Sequence, residues 1–202
     1  MARSLFEQFD MVFDYCFDLF QKKNEDYGPT WLLYRYTSLN DEIWRKAKRI
    51  RTLEEHNDQA LIPEGRDVEY VGVINYCMMF LIRLKNLPGI PSMEKTMEDL
   101  SAIDSVDKRL LFDAYQTEAS EIRDLLKRKN TDYGNAWQSM SIHSMTDQVL
   151  IRVYRMKSIL EHGGECAVSE GVDAQLHDII NYCVFALIKM DTELVFPKDD
   201  AT

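Results

Sequence analysis

The string Lys-Asn-x-Asp-Tyr-Gly-x-x-Trp occurs twice in this chain, at 23–31 and again at 129–137. Each copy carries a cation (Lys23, Lys129), an amide (Asn24, Asn130) and an acceptor (Asp26, Asp132). Each also carries flat rings able to stack on an aromatic ligand, Tyr27 and Trp31 in one and Tyr133 and Trp137 in the other. Downstream, Lys46 with Arg49 and Arg152 with Arg155 stand three apart, so on a helix each pair shares a face and suits a phosphate. Further on come acids: Glu64 and Asp67 mirrored by Glu170 and Asp173, then Glu69 in one copy and Asp178 in the other. Carboxylates spaced along a helix are what Mg²⁺ coordination uses, with substrate phosphates completing the shell. On that reading Asp178, Glu170 and Asp173 are the catalytic set, and together with Glu69 they hold the metal and orient an attacking water. The competing reading is structural, because carboxylates in a helix's first turn also suit its dipole.

All of these matches fall at one offset, residue n with n+106, without a gap from Leu5/Leu111 to about Leu84/Met190. The chain is an internal duplication. The copies diverge where the acids lie: Glu69 and Gly72 in the first are Gln175 and Asp178 in the second. Each copy therefore keeps one member of a Glu-x-x-Asp pair. Either the ancestral pair has decayed and the protein only binds, or Glu69 and Asp178 meet across a pseudo-twofold axis in one composite site.

Apolar residues recurring at helical spacing predict an all-α fold, a duplicated three-helix repeat packed as one bundle with internal pseudo-twofold symmetry. The capping box at Ser4–Glu7 starts a helix that runs from about Leu5 to Lys23, with Asn24 and Gly28 ending it. Ser38 with Asp41, and Ser144 with Asp147, read as the caps of the second helix in each copy, which ends near His56 and His162, where the histidines suit the helix C-terminus. Pro63-Glu64 reads as the start of a third helix running to about Lys85 before Pro88-Gly89. The organisation expected is a first repeat over 4–88, a linker over 89–105 with a short helix from Met93 to Leu100, a second repeat over 106–194, and a tail over 195–202.

With 46% hydrophobic residues in 202, there is ample material for a core. The apolar runs near 71–84 and 179–190 fall short of the roughly 20 residues a membrane span needs. No export signal pattern opens the chain, which points to a cytoplasmic protein. A net charge of −10 opposes binding to duplex nucleic acid but not to a small phosphorylated ligand gripped by a local basic cluster. Cys16, Cys77, Cys166 and Cys183 lack metal-binding spacing and read as packing thiols. A monomer or a homodimer is expected, since duplication can satisfy internally what a single repeat would reach by pairing.

The Lys-Asn-x-Asp-Tyr-Gly-x-x-Trp string, the basic helix, and Glu-Gly-x-Asp with Ile-Asn-Tyr resemble the nucleotide modification associated domain family, over nearly all of both repeats. The resemblance implies a role in nucleotide metabolism or base modification. More distantly, the acidic third helix looks like that of MazG-like all-α nucleoside triphosphate pyrophosphohydrolases, which hold Mg²⁺ on Glu-x-x-Glu and Glu-x-x-Asp helices. That likeness implies a Mg²⁺-dependent nucleotide hydrolase. The alternative is a non-catalytic helical module that binds a nucleotide or a protein.

Overall fold

The computed structural model describes residues 3–59, 61–62, 64–163 and 170–196. It is built of helices: α1 (Leu5–Tyr27), α2 (Tyr36–Glu55), α3 (Arg66–Leu84), the short α4 (Met93–Glu98) and α5 (Ser101–Asp104), then α6 (Lys108–Tyr133), α7 (Ile142–Glu161) and α8 (Val172–Met190). One-turn 3-10 segments at Thr30–Leu33 and Ala136–Ser139 carry the two tryptophans. Among the described residues there is no strand, and the all-α duplicated bundle stands.

The helices begin and end for local reasons. Ser4 and Glu7 form the full capping box of α1, and Gly28 and Gly134, at φ +70° and +60°, turn the chain out of α1 and α6. Several boundaries differ from those read in the sequence. α1 continues to Tyr27, so Asn24 lies inside the helix. α2 starts at Tyr36, capped by the backbone of Arg35, which leaves Ser38 and Asp41 within the helix; α7 is capped by Ser141 rather than Ser144. In both cases the chain leaves the 3-10 segment sooner than the sequence pattern suggests. α3 starts at Arg66 behind Gly65, later than expected, and Pro63 lies outside the described residues, as does Cys166. His56 and His162 do end α2 and α7, their ring nitrogens 2.7 Å from the carbonyls of Thr52 and Ser158.

α2 packs on α3 and α7 on α8, and the two pairs join through α3 on α8 and α2 on α7. This four-helix centre holds the apolar stripes of both last helices, with Ile74, Cys77, Phe80, Ile180, Cys183 and Leu187 all buried. α1 and α6 cover it, packing on each other and reaching across the pseudo-axis, α6 onto α3 and α1 onto α8. The symmetry is incomplete. α1 also packs on α3 of its own repeat, while the equivalent contact of α6 with α8 is much thinner. Val195 and Phe196 are buried in the core, so the part of the tail that is described belongs to the bundle.

Candidate functional site

The tryptophans expected to stack on a ligand are inside the protein. Trp31 is 4% exposed, and its Nε1 donates to the Asn24 Oδ1 at 3.1 Å while the Asn24 amide donates to the Phe20 carbonyl at 2.7 Å. Asn24 thus ties the 3-10 turn back onto α1, which explains a paired Asn and Trp without any ligand. Trp137, 9% exposed, lies flat on Phe185 with ring centres 4.7 Å apart, and its Nε1 has no partner among the described residues. Buried as they are, Trp31 and Trp137 offer a base no open face on which to stack, and the Asn24 side chain is engaged within the protein. Tyr27 and Tyr133 are exposed, as are Lys23, Asp26 and Asp132.

The acids of the last helices have cations as neighbours. Asp178 receives Lys129 Nζ at 2.6 Å on Oδ1, and Arg152 Nε and Nη2 at 3.1 and 2.9 Å on Oδ2. Burial works to raise its pKa, but the bonds from Lys129 and Arg152 prevail and hold the carboxyl below its ordinary value. Arg152 also lies 4.8 Å over the Tyr182 ring. In the first repeat Glu69, 2% exposed, takes Lys46 Nζ at 3.0 Å and Arg49 Nη1. Each carboxylate is therefore neutralised by the basic helix of its own repeat, and the composite arrangement that would join Glu69 to Asp178 is not the one formed. Nor do Asp178, Asp173, Glu170 and Glu69 fit together as a Mg²⁺ site. Both oxygens of Asp178 and of Glu69 are spent on cations, and among the described residues no three His, Cys, Asp or Glu side chains stand where they could share a metal.

What the fold does build is a cavity of about 860 Å³ between the repeats, where the start of α2 and the end of α3 face the end of α7 and the start of α8. One wall is apolar, from Tyr36, Leu81, Leu84, Met93, Leu160 and Val172; the polar part comes from Arg35, Lys85, Glu121, Asp173 and His177. Lys129 and Arg152, through Asp178, tie α6 and α7 to the opening turns of α8, and these three helices each supply part of that lining. Lys85 reaches across from α3 to two acids of α6, Glu118 at 3.0 Å and Glu121 at 2.8 Å. Burial raises the Glu118 pKa despite that lysine, and the Glu118 Oε2 has no partner among the described residues. His177 is pushed below its ordinary value by burial, opposed by Asp173 and assisted by Lys129 and Lys85, so it is held toward the neutral form.

The first repeat differs at the equivalent positions. Leu160 corresponds to Glu54 and Val172 to Arg66, and there Arg66 pairs with Glu54 at 3.5 Å and with Asp58 at 2.6 Å. Asp67, the mate of Asp173, accepts from Thr192 at 2.5 Å. The Arg66–Glu54 pair thus stands in the first repeat where the second has the apolar cavity wall of Leu160 and Val172.

Several of these residues were not singled out in the sequence. Glu118 and Glu121 form a Glu-x-x-Glu in α6, but their mates are Val12 and Tyr15, so comparison of the repeats hides them. Arg35, Tyr36, Lys85 and Leu160 are likewise unmatched across the copies. An aromatic pair missed for the same reason, Trp44 of α2 and Tyr154 of α7, lies on the far face with ring centres 6.5 Å apart.

No curated protein and no solved structure is matched by this chain, and the likeness to MazG-like enzymes gains no support from such comparisons. The family model for nucleotide modification associated domain 1 matches residues 23–84 and again residues 129–190, each span running from the motif lysine to the end of the last helix of its repeat. The chain belongs to the nucleotide modification associated domain 1 family, in tandem duplicate.

Proposed function

We propose that the protein binds a nucleotide in the cavity between the two repeats. The observation that carries this reading is the cavity itself. Its volume of about 860 Å³ is within the roughly 300–1,000 Å³ of small-molecule sites, and it joins an aromatic and aliphatic wall to a small group of charged residues. A base packs against Tyr36, Leu160 and Val172, and Asp173 accepts from sugar hydroxyls. Phosphates turn toward Arg35 and the backbone N–H groups that open α8, a helix whose N-cap, Gly171, offers no side chain. Lys129, Arg152 and Asp178 are then positioning residues that hold three walls in register. Family membership, which links the chain to nucleotide modification, supports the choice of ligand.

Hydrolysis of the bound nucleotide is a second reading, and the observation favouring it is His177, neutral and beside Asp173 in the same cavity, where it can take a proton from water.

The test exchanges residues between the repeats. Leu160→Glu with Val172→Arg installs the first repeat's ion pair in the cavity wall. Titration calorimetry against ribo- and deoxynucleoside mono-, di- and triphosphates, with pyrophosphate and phosphate release followed with and without Mg²⁺, should show saturable binding to the wild type and none to the folded double variant. Equal binding by both would overturn the assignment.

A further inference from the structure

The central helices α2 and α7 lie side by side, and opposite the core they carry a shallow groove of about 330 Å³ lined by Trp44, Lys48, Arg51, Ile151, Tyr154 and Arg155. Three of these are large apolar groups in water: Trp44 is 38%, Ile151 44% and Tyr154 65% exposed. Three are cations. Arg51 is shared with Glu55 at 3.5 Å and Asp147 at 3.2 Å, whereas Lys48 and Arg155 form no ion pair among the described residues.

The freedom of Arg155 follows from the divergence of the repeats. Its mate, Arg49, is held by Glu69. At the position of Glu69 the second repeat has Gln175, buried and with its Oε1 unpartnered among the described residues, so the carboxylate that holds Arg49 most closely has no counterpart for Arg155. The cation is left to the groove.

Unpaired cations beside exposed rings, on a chain of net charge −10, select against most occupants. A second copy of the chain docking by the same patch would set Lys48, Arg51 and Arg155 against their own counterparts. A free nucleotide is held by burial of most of its surface, which a groove with rings this exposed does not provide. A strand of nucleic acid needs less at each unit, because stacking on an aromatic face and contact with a cation repeat along the chain.

We propose that the α2/α7 groove binds single-stranded nucleic acid, with a base stacked at Trp44 and Tyr154 and the flanking phosphates at Lys48, Arg51 and Arg155. The site is separate from the nucleotide cavity and does not depend on it.

Because Trp31 and Trp137 are buried, tryptophan fluorescence quenching by a stacked base reports on Trp44. Unlabelled and end-labelled twelve-residue oligothymidylate and oligouridylate are titrated into the full chain, following quenching and anisotropy together over a salt series. The wild type should show both signals, with log affinity falling against log salt at a slope of about −2, some −0.7 for each of three phosphates. Lys48→Ala with Arg155→Ala should weaken binding at least tenfold, and Trp44→Leu should abolish the quenching, each with the melting temperature of the wild type. Four results overturn the proposal: no binding of either strand, anisotropy without quenching, equal quenching by free thymidine monophosphate at the same nucleotide concentration, or a dimer in sedimentation that Trp44→Glu dissociates. The Leu160→Glu/Val172→Arg variant should bind the strand normally, so failure of the cavity and failure of the groove are distinguishable.

Discussion

Lys46 lies directly across Gly72: a Cβ placed on that glycine would stand 2.6 Å from the lysine Cε and 2.8 Å from its Nζ. The missing side chain is what lets Lys46 cross α3 and reach Glu69. In the other repeat the same two positions are Arg152 and Asp178, and there the pair bonds directly. One ancestral arrangement of base and acid has thus been kept charge-balanced in two ways. Alanine in place of an interior helical glycine ordinarily stabilises by about 1 kcal/mol. Gly72→Ala should forfeit that gain, because the displaced Lys46 leaves the buried Glu69 with Arg49 alone. Urea denaturation should find the variant no more stable than the wild type.

Asp178→Asn tests the other solution. It leaves Lys129 and Arg152 facing a neutral amide, and the cost should be about 1–3 kcal/mol near neutral pH, toward the lower end because Lys129 is partly in solvent. The sign of the pH dependence follows from the depressed carboxyl. Its stabilisation is full above the unfolded value of about 3.9 and is lost as pH falls through the lower folded value. The difference in unfolding free energy between wild type and variant should therefore shrink toward zero in acid. A constant difference down to that range would remove Asp178 from this role.

The duplication made the fold legible, because helical periodicity and a single offset mark out six long helices in the sequence. It also misled about the site. Residues at basic or motif positions of both copies turn out to brace the fold: Asn24 holds Trp31, Lys46 reaches Glu69 and Arg152 reaches Asp178. Residues that open a cavity or a groove, such as Leu160, His177, Trp44 and Tyr154, differ between copies, since only one copy needs them. Glu118 was unreadable for a further reason: what marks it is a partner, Lys85, from another helix and the other repeat.

The two motif loops should respond unequally to the same change. Asn24 is buried and bonded on both sides, so Asn24→Ala leaves the Trp31 Nε1 and the Phe20 carbonyl without it and should cost about 1–3 kcal/mol. Among the described residues the Nε1 of Trp137 has no partner to lose, so Asn130→Ala should cost well under half as much. Thermal or urea unfolding of the two variants side by side decides it, and equal losses would mean that Asn130 braces its loop by some other contact.

His177 couples the cavity to pH in two opposite ways. Its folded pKa lies below the usual 6.5, so the unfolded chain takes up the proton first. Stability should consequently fall as pH drops below about 6.5 and level off below the folded value, and His177→Gln should remove that contribution to the slope. A phosphate bound nearby favours the charged imidazole and raises its pKa, so nucleotide affinity should increase as pH falls from 7.5 to 6. Calorimetric titrations across that range, on wild type and on His177→Gln, separate the cases: affinity that rises only in the wild type places the phosphate near His177, while parallel profiles put it elsewhere in the cavity.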